Sequence, residues 1–312
     1  MKTIFWAHSP IGYEVFRSFR DLKIADENNS LLVTARNFFP PDADCTLGLP
    51  EEYVWMDENQ FKEAAKKIIK FIGLLQGEDY ILYIPQTANF FIRCLIESPR
   101  CLGFHIFDEG TAARDPDFSN RVNFRGFYKY DLKSYQSIYD FFEFLNIDFQ
   151  KIKEIYSLGV PFYELGHIKF LGFLSHFDKV FPNKDVIKIL RSKVPGVDIC
   201  SQYSLLLMPP FHVLTKYKDF DRRLQNLVNS INAIRTLDKG MKLIIKFHPH
   251  DSDEVALKVS KIFNSTLFEE FCEKNSISKF REPAFMGFKI YIGYPNSTIE
   301  FIKEVGGNYI AF

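Results

Sequence analysis

Three short clusters of reactive side chains stand out, each following a run of apolar residues: Asp108-Glu109-Gly110, His248-Pro249 and Ser297-Thr298. A carboxylate such as Asp108 can take the proton of an attacking hydroxyl, and Gly110 beside it lets a ligand or a second backbone come close. The same three residues also suit a plain turn. His248 follows Lys-Leu-Ile-Ile-Lys-Phe, the pattern of a buried strand that Pro249 brings to an end. Ser297 and Thr298 open a predicted helix. There they cap the first turn, or they join the free backbone N–H groups and the helix dipole in holding an anion.

The elements that must position these clusters alternate between strand and helix. In the first half the apolar runs at 2–7, 31–34, 79–84 and 102–107 predict strands, and helical spacing predicts helices to about Arg20, over 61–75 and over 87–96. Tyr53 to Met56 is a further short apolar run. The middle is less regular: a helix over 134–145, a strand-like stretch over 154–158 and a helix-length Phe/Leu/His segment ending at Phe177. Alternation then resumes with strands at 204–208, 242–247 and 289–292, and helices over 220–237, 253–272 and 297–303. Repeated units of this length imply parallel sheets covered on both faces, with ligands at the carboxyl ends of the strands. The expected architecture is therefore α/β, with two Rossmann-like domains facing a central cleft, divided as residues 1–185 and 186–312.

Other polar residues follow strand ends of the first half: Ser9, Gly12, Gln86 and Asn89. Each suits a turn or a helix cap, and each can also meet a substrate at the strand ends.

Composition narrows the function class. Lysine plus arginine equal aspartate plus glutamate at 39 each, so no global field favours nucleic acid. The five cysteines (Cys45, Cys94, Cys101, Cys200, Cys272) are scattered without a Cys-x-x-Cys pair, which points to a reducing compartment and away from a zinc ribbon. Thr3 to Ala7 is too short for the apolar core of a signal peptide, and no stretch approaches the ~20 apolar residues of a membrane span. A cytoplasmic protein is expected. Many of the 34 phenylalanines cluster mid-chain, at Phe141, Phe142, Phe144, Phe149, Phe162, Phe170, Phe173 and Phe177, interleaved with lysines. That pattern suits an aromatic core, and it also permits peripheral association with a membrane.

Taken together, the three clusters resemble the shared motifs of the bacterial sialyltransferases of the polysialyl, lipooligosaccharide and multifunctional types: an Asp/Glu-Asp/Glu-Gly triplet, a His-Pro dipeptide and a Ser-Ser or Ser-Thr pair, in that order. The resemblance spans nearly the whole chain in layout and rests on these seven residues by identity. It implies a GT-B fold and an inverting, metal-independent transfer of a sialic acid or related nonulosonic acid, from its CMP-activated form to a hydroxyl of a surface glycan. On that resemblance Asp108 is the general base, His248 acts on the CMP phosphate, and Ser297 and Thr298 hold the phosphate. Pro249, Glu109 and Gly110 complete the motifs. Glu282, in Arg-Glu-Pro, is the candidate carboxylate for the ribose. Ser9, Gly12, Gln86 and Asn89 are candidates for the donor sugar or the acceptor. No cofactor beyond the activated sugar is implied. A glycan acceptor made at the inner face of the cytoplasmic membrane is, and a homodimer is compatible with it.

Two alternatives use the same residues. A GT-B-like transferase with another donor, such as CDP-glycerol, also places a histidine on a pyrophosphate and a serine-rich helix start beside it. A metallohydrolase would use His248, His250, Asp251 and Asp253 as a His-x-His cluster with carboxylates. The chain ends at Phe312 without the long final helix that often crosses back to the first domain of a GT-B enzyme, so a truncated C-terminus or an unusual closure is expected.

Overall fold

The computed structural model describes residues 1–25, 27–36, 38–47, 58–108, 113, 123–124, 136–177, 180–181, 185–189, 197–208, 220–248, 251–293 and 297–311. The chain forms two compact units, Met1–Ser192 and Lys193–Phe312.

The first unit opens with β1 (Lys2–Ala7), α1 (Pro10–Asp21), β2 (Ser30–Thr34), β3 (Cys45–Thr46), α2 (Glu58–Gly73), β4 (Tyr80–Ile84), α3 (Phe90–Glu97) and β5 (Cys101–Phe107). It continues with β6 (Asn123–Phe124), α4 (Gln136–Leu145), α5 (Phe149–Leu158), β7 (Val160–Pro161), β8 (Phe170–Ser175) and β9 (Val186–Lys188). Seven strands form one sheet in the order β3-β2-β1-β4-β5-β8-β9, and every pairing in it is parallel. β6 and β7 make a separate antiparallel pair. Because a parallel sheet is covered on both faces, the last four residues of β1 are apolar without alternation, and Ile4, Phe5, Trp6 and Ala7 are all fully buried. α1 turns its buried Val15, Phe16 and Phe19 onto this strand, and the Phe5 ring meets those of Phe16 and Phe19 edge-on at 5.4 and 5.2 Å.

The second unit comprises β10 (Tyr203–Leu207), α6 (Phe220–Leu237), β11 (Lys242–Lys246), α7 (Asp253–Ile262), β12 (Thr266–Leu267), α8 (Phe268–Lys274), β13 (Ile290–Gly293), α9 (Ser297–Glu304) and β14 (Tyr309–Ala311). Its five strands run parallel in the order β12-β11-β10-β13-β14. Leu206, Leu243, Ile245 and Ile292 of the sheet pack with Leu227, Ile231, Val259 and Phe263 of the helical layer.

In both sheets the first strand of the unit lies centrally and the connections depart from it in opposite directions, which is the doubly wound Rossmann pattern. Two such units in series are the components of the GT-B fold. The reversal falls between β1 and β4 in the first sheet and between β10 and β13 in the second. These switch points are where such sheets open a crevice at their carboxyl edge.

Several expectations change. The division falls at Ser192 rather than at residue 185, because β9 pairs with β8 and so belongs to the first sheet. Residues 154–158, expected as a strand, form the last turns of α5, which starts from the Asp148 cap accepting from Gln150 N–H at 2.8 Å. The segment ending at Phe177, expected as a helix, contains β8, pairing with β5. The single helix expected over 253–272 is broken into α7 and α8. Asn264 adopts a left-handed φ of 46° there, and β12 inserts beside β11. Tyr53 to Met56 lies outside the described residues.

The mid-chain aromatics are largely core. Phe141, Phe142, Phe162, Phe173 and Phe177 are buried, and Phe91 and Phe90 of α3 meet Phe141 and Phe142 edge-on. Among the described residues no helix is long and apolar enough to cross a membrane.

Candidate active site

At the carboxyl edge of the first sheet, β5 delivers Asp108 directly after Phe107. Asp108 is fully buried, with both carboxylate oxygens shielded from solvent. Glu109 and Gly110 lie outside the described residues.

The other polar residues of this edge divide by role. Gly12, in the first turn of α1, is a packing position: a Cβ there would lie 2.9 Å from the Phe107 ring and 3.3 Å from the Ala7 Cβ. Its lack of a side chain lets the head of α1 lie close to the end of β5, so Gly12 also sets the surroundings of Asp108. Gln86 is fully buried, and its Oε1 accepts from the N–H groups of Ala88 and Asn89, the latter at 2.8 Å. That fixes the loop after β4. Asn89 is the N-cap of α3, its Oδ1 accepting from Phe91 N–H at 2.9 Å and Ile92 N–H at 3.1 Å. Ser9 is the N-cap residue of α1 in extended conformation and makes no side-chain cap bond.

Two histidines unremarked in the sequence share this edge. His8 follows β1, and His176 follows β8 with its Nδ1 3.2 Å from the Ile189 carbonyl oxygen. His8 was legible, since it ends a predicted strand. His176 was hidden because β8 reads as a helix.

In the second sheet, β11 delivers His248, half-buried, two residues beyond the strand. Asp251 bonds back to His248: its Oδ2 accepts from His248 N–H at 3.3 Å and its own N–H donates to His248 O at 2.9 Å, so one Asp251 carboxylate oxygen is engaged there. β13 ends at Gly293, and α9 begins at Ser297. Thr298 is half-buried in its first turn. Since β11 and β13 flank β10, His248 and α9 follow strands that end at one edge of one sheet, and those strand ends are two strand spacings or about 10 Å apart. Pro249 lies outside the described residues.

Glu282 is buried and caps the short turn Pro283–Phe285, its Oε1 accepting from Ala284 N–H at 3.3 Å. The Tyr291 hydroxyl of β13 donates to Pro283 O at 3.0 Å and accepts from Phe288 N–H, which ties this turn to the sheet. Lys246, the last residue of β11, lies on the same side of its strand as Ile244, opposite the core formed by Leu243 and Ile245. Its ammonium stands 4.3 Å from the centre of the Phe268 ring. Burial pulls its pKa below the usual lysine range, opposed by the charges of Glu269 and Glu282. The sequence showed Lys246 only as the polar end of an apolar strand.

Among the described residues no group of three or more His, Cys, Asp or Glu side chains converges as a metal site. His250, a member of the His-x-His alternative, lies outside them.

No protein-family model matches the chain, and no curated protein matches it. Among solved structures it is similar to a UDP-N-acetylglucosamine 2-epimerase from Rickettsia bellii, with 11% sequence identity over 99% of this chain and 77% of that one, at a TM-score of 0.39. The fold assignment rests on the strand orders of the two sheets.

Proposed function

We propose that this chain is an inverting glycosyltransferase that moves a sialic acid or related nonulosonic acid from its CMP-activated form to a glycan hydroxyl without a metal. The observation that carries the proposal is the second sheet's carboxyl edge, where His248 and the head of α9 flank the switch strand β10, with the buried Glu282 turn tied to β13. This arrangement suits a nucleotide monophosphate: backbone N–H groups and the positive helix end for the phosphate, an imidazole for the bridging oxygen and a carboxylate for ribose hydroxyls.

In this reading Asp108 accepts the acceptor hydroxyl's proton as that oxygen bonds to the anomeric carbon. The bond from that carbon to the phosphate oxygen breaks, and CMP departs with its developing charge stabilised by His248 and the α9 head. The leaving group is already a good anion, so charge stabilisation and one proton acceptor suffice. The reaction requires Asp108 and His248 to serve one donor–acceptor pair. Cytoplasmic action on a surface glycan under assembly, with peripheral membrane contact, belongs to the same proposal.

A thermal-shift screen of CMP, CDP, UDP and GDP tests the nucleotide directly. Selective stabilisation by CMP, together with CMP release in EDTA when a glycan acceptor is present, is the expected result. Preference for CDP would instead favour a CDP-glycerol type of donor, and loss of activity in EDTA would favour the metal-dependent alternative.

A further inference from the structure

We propose that the crevice at the first sheet's switch point, between the heads of α1 and α3, is a carboxylate-binding site. On the functional reading above, it holds the carboxylate of the transferred nonulosonic acid. β1 and β4 are neighbours with Phe5 beside Tyr83, so the loops that leave them open from adjacent strand ends. The chain departs from these two strands in opposite directions, which leaves the crevice between the two loops.

The head of α1 is an open helix terminus. Pro10 occupies its first position, and the N–H groups of Ile11 and Gly12 behind it receive no side-chain cap. The Ser9 hydroxyl is shielded from solvent and has no hydrogen-bond partner. An independent observation comes from α3. The two bonds accepted by Asn89 Oδ1 fix the orientation of its amide, and they leave Nδ2 as a donor at the head of the helix. Asn89 is only 2% exposed, and Nδ2 has no partner. A buried amide donor is ordinarily satisfied, so one left open at the head of a helix that follows the neighbouring strand end points to a ligand acceptor.

Charge decides which acceptor. Each helix N-terminus carries about half a positive charge, so the two together match a monoanion better than a phosphate dianion. The side-chain donors, an amide and a hydroxyl, are neutral, which again suits a carboxylate. Gly12 packs against Phe107, so the α1 head lies towards the strand end that carries Asp108. A nonulosonic acid bears its carboxylate on the anomeric carbon. Anchoring that group therefore fixes the reacting carbon relative to the proposed base.

The test uses amide NMR of the full chain with N-acetylneuraminate, its methyl ester and inorganic phosphate as probes. The free acid is expected to shift the Ile11 and Gly12 amide signals, and the ester is expected to leave them in place. Asn89→Asp keeps the cap acceptor but replaces the donor with an anionic oxygen. Ser9→Ala removes a hydroxyl that makes no cap bond. Each variant is expected to weaken binding of the acid at least tenfold while retaining the wild-type CMP thermal shift. Equal response to acid and ester, no response to the acid, or stronger response to phosphate would each overturn the proposal. If the acid binds and CMP does not, the carboxylate site stands and the CMP-dependent function fails. If CMP binds and the acid does not, the reverse holds.

Discussion

Glu97, at the end of α3, is the hinge of a buried ionic cluster whose removal has a calculable effect. Its carboxylate receives Arg93 at 2.7 Å, Lys151 at 2.8 Å and His167 at 3.2 Å, and its side chain is only 5% exposed. Arg93 also pairs with Glu164. The cluster joins α3 to α5 and to the segment leading into β8, and so braces the strand that ends in Asp108. Burial alone would raise the Glu97 pKa, but hydrogen bonds from His167 and Lys151 and the charge of Arg93 outweigh it and bring it from 4.5 down to about 2. At roughly 1.4 kcal/mol per pH unit this lowering corresponds to about 3 kcal/mol of stability. Because the folded-state pKa is depressed, that contribution is complete above the unfolded value of 4.5 and is lost as pH falls through about 2.

Glu97→Gln keeps the shape, removes the charge and leaves Arg93 buried with less compensation, so the expected loss at pH 7 is about 3 kcal/mol. Trp6 is fully buried in β1 of the first unit, so urea unfolding followed by tryptophan fluorescence reads the affected part of the chain. With a urea dependence of about 3 kcal/mol per molar, the midpoint should fall by about 1 M. The difference between wild type and variant should then shrink as pH is lowered from 4.5 towards 2. A midpoint change below about 0.3 M at pH 7, or a difference that does not shrink in acid, would refute the reasoning.

Further predictions concern packing and thiols. Gly12→Ala forces its Cβ against Phe107 and should cost about 1–3 kcal/mol of stability, with a loss of transfer activity because Asp108 is displaced with that ring. Gly293→Ala places a Cβ 2.8 Å from the Leu207 carbonyl oxygen, a backbone atom that cannot swing away, so calorimetry should show a larger drop in Tm than for Gly12→Ala. Burial pushes the thiols of Cys45 and Cys101 up to about 11 and those of Cys200 and Cys272 up to about 12. A thiol-disulfide reagent at pH 8 should therefore leave the native protein nearly unreacted and titrate all five cysteines in denaturant.

Much of this architecture can be read from residues, and where it cannot the reason is physical. β1, β4, β10 and β11 are apolar runs closed by proline or a polar cluster, and the parallel, doubly wound sheets follow from their alternation with amphipathic helices. Phe170 to Ser175 misleads because six apolar-rich residues satisfy either period, and the pairing with β5 that makes them a strand is a long-range fact. The break between α7 and α8 depends on one left-handed residue, Asn264, in an otherwise helical pattern. Among the candidate site residues, strand ends single out Asp108 and His248 in the sequence, whereas Gln86, Asn89 and Gly12 are seen as loop, cap and packing residues only from their bonds and contacts. Lys246 escapes notice because a lysine at a strand end ordinarily faces water, and only its position over Phe268 shows otherwise.

The most direct measurement is the single-turnover release of CMP from a CMP-nonulosonate in EDTA, with glycan acceptor, for the wild type, Asp108→Ala and His248→Ala. The wild type is expected to turn over, and each variant to fall by at least about 100-fold, with its Tm within a degree or two of the wild type. Undiminished turnover in either variant, or a wild type that releases no CMP, would contradict a transfer in which Asp108 and His248 act together.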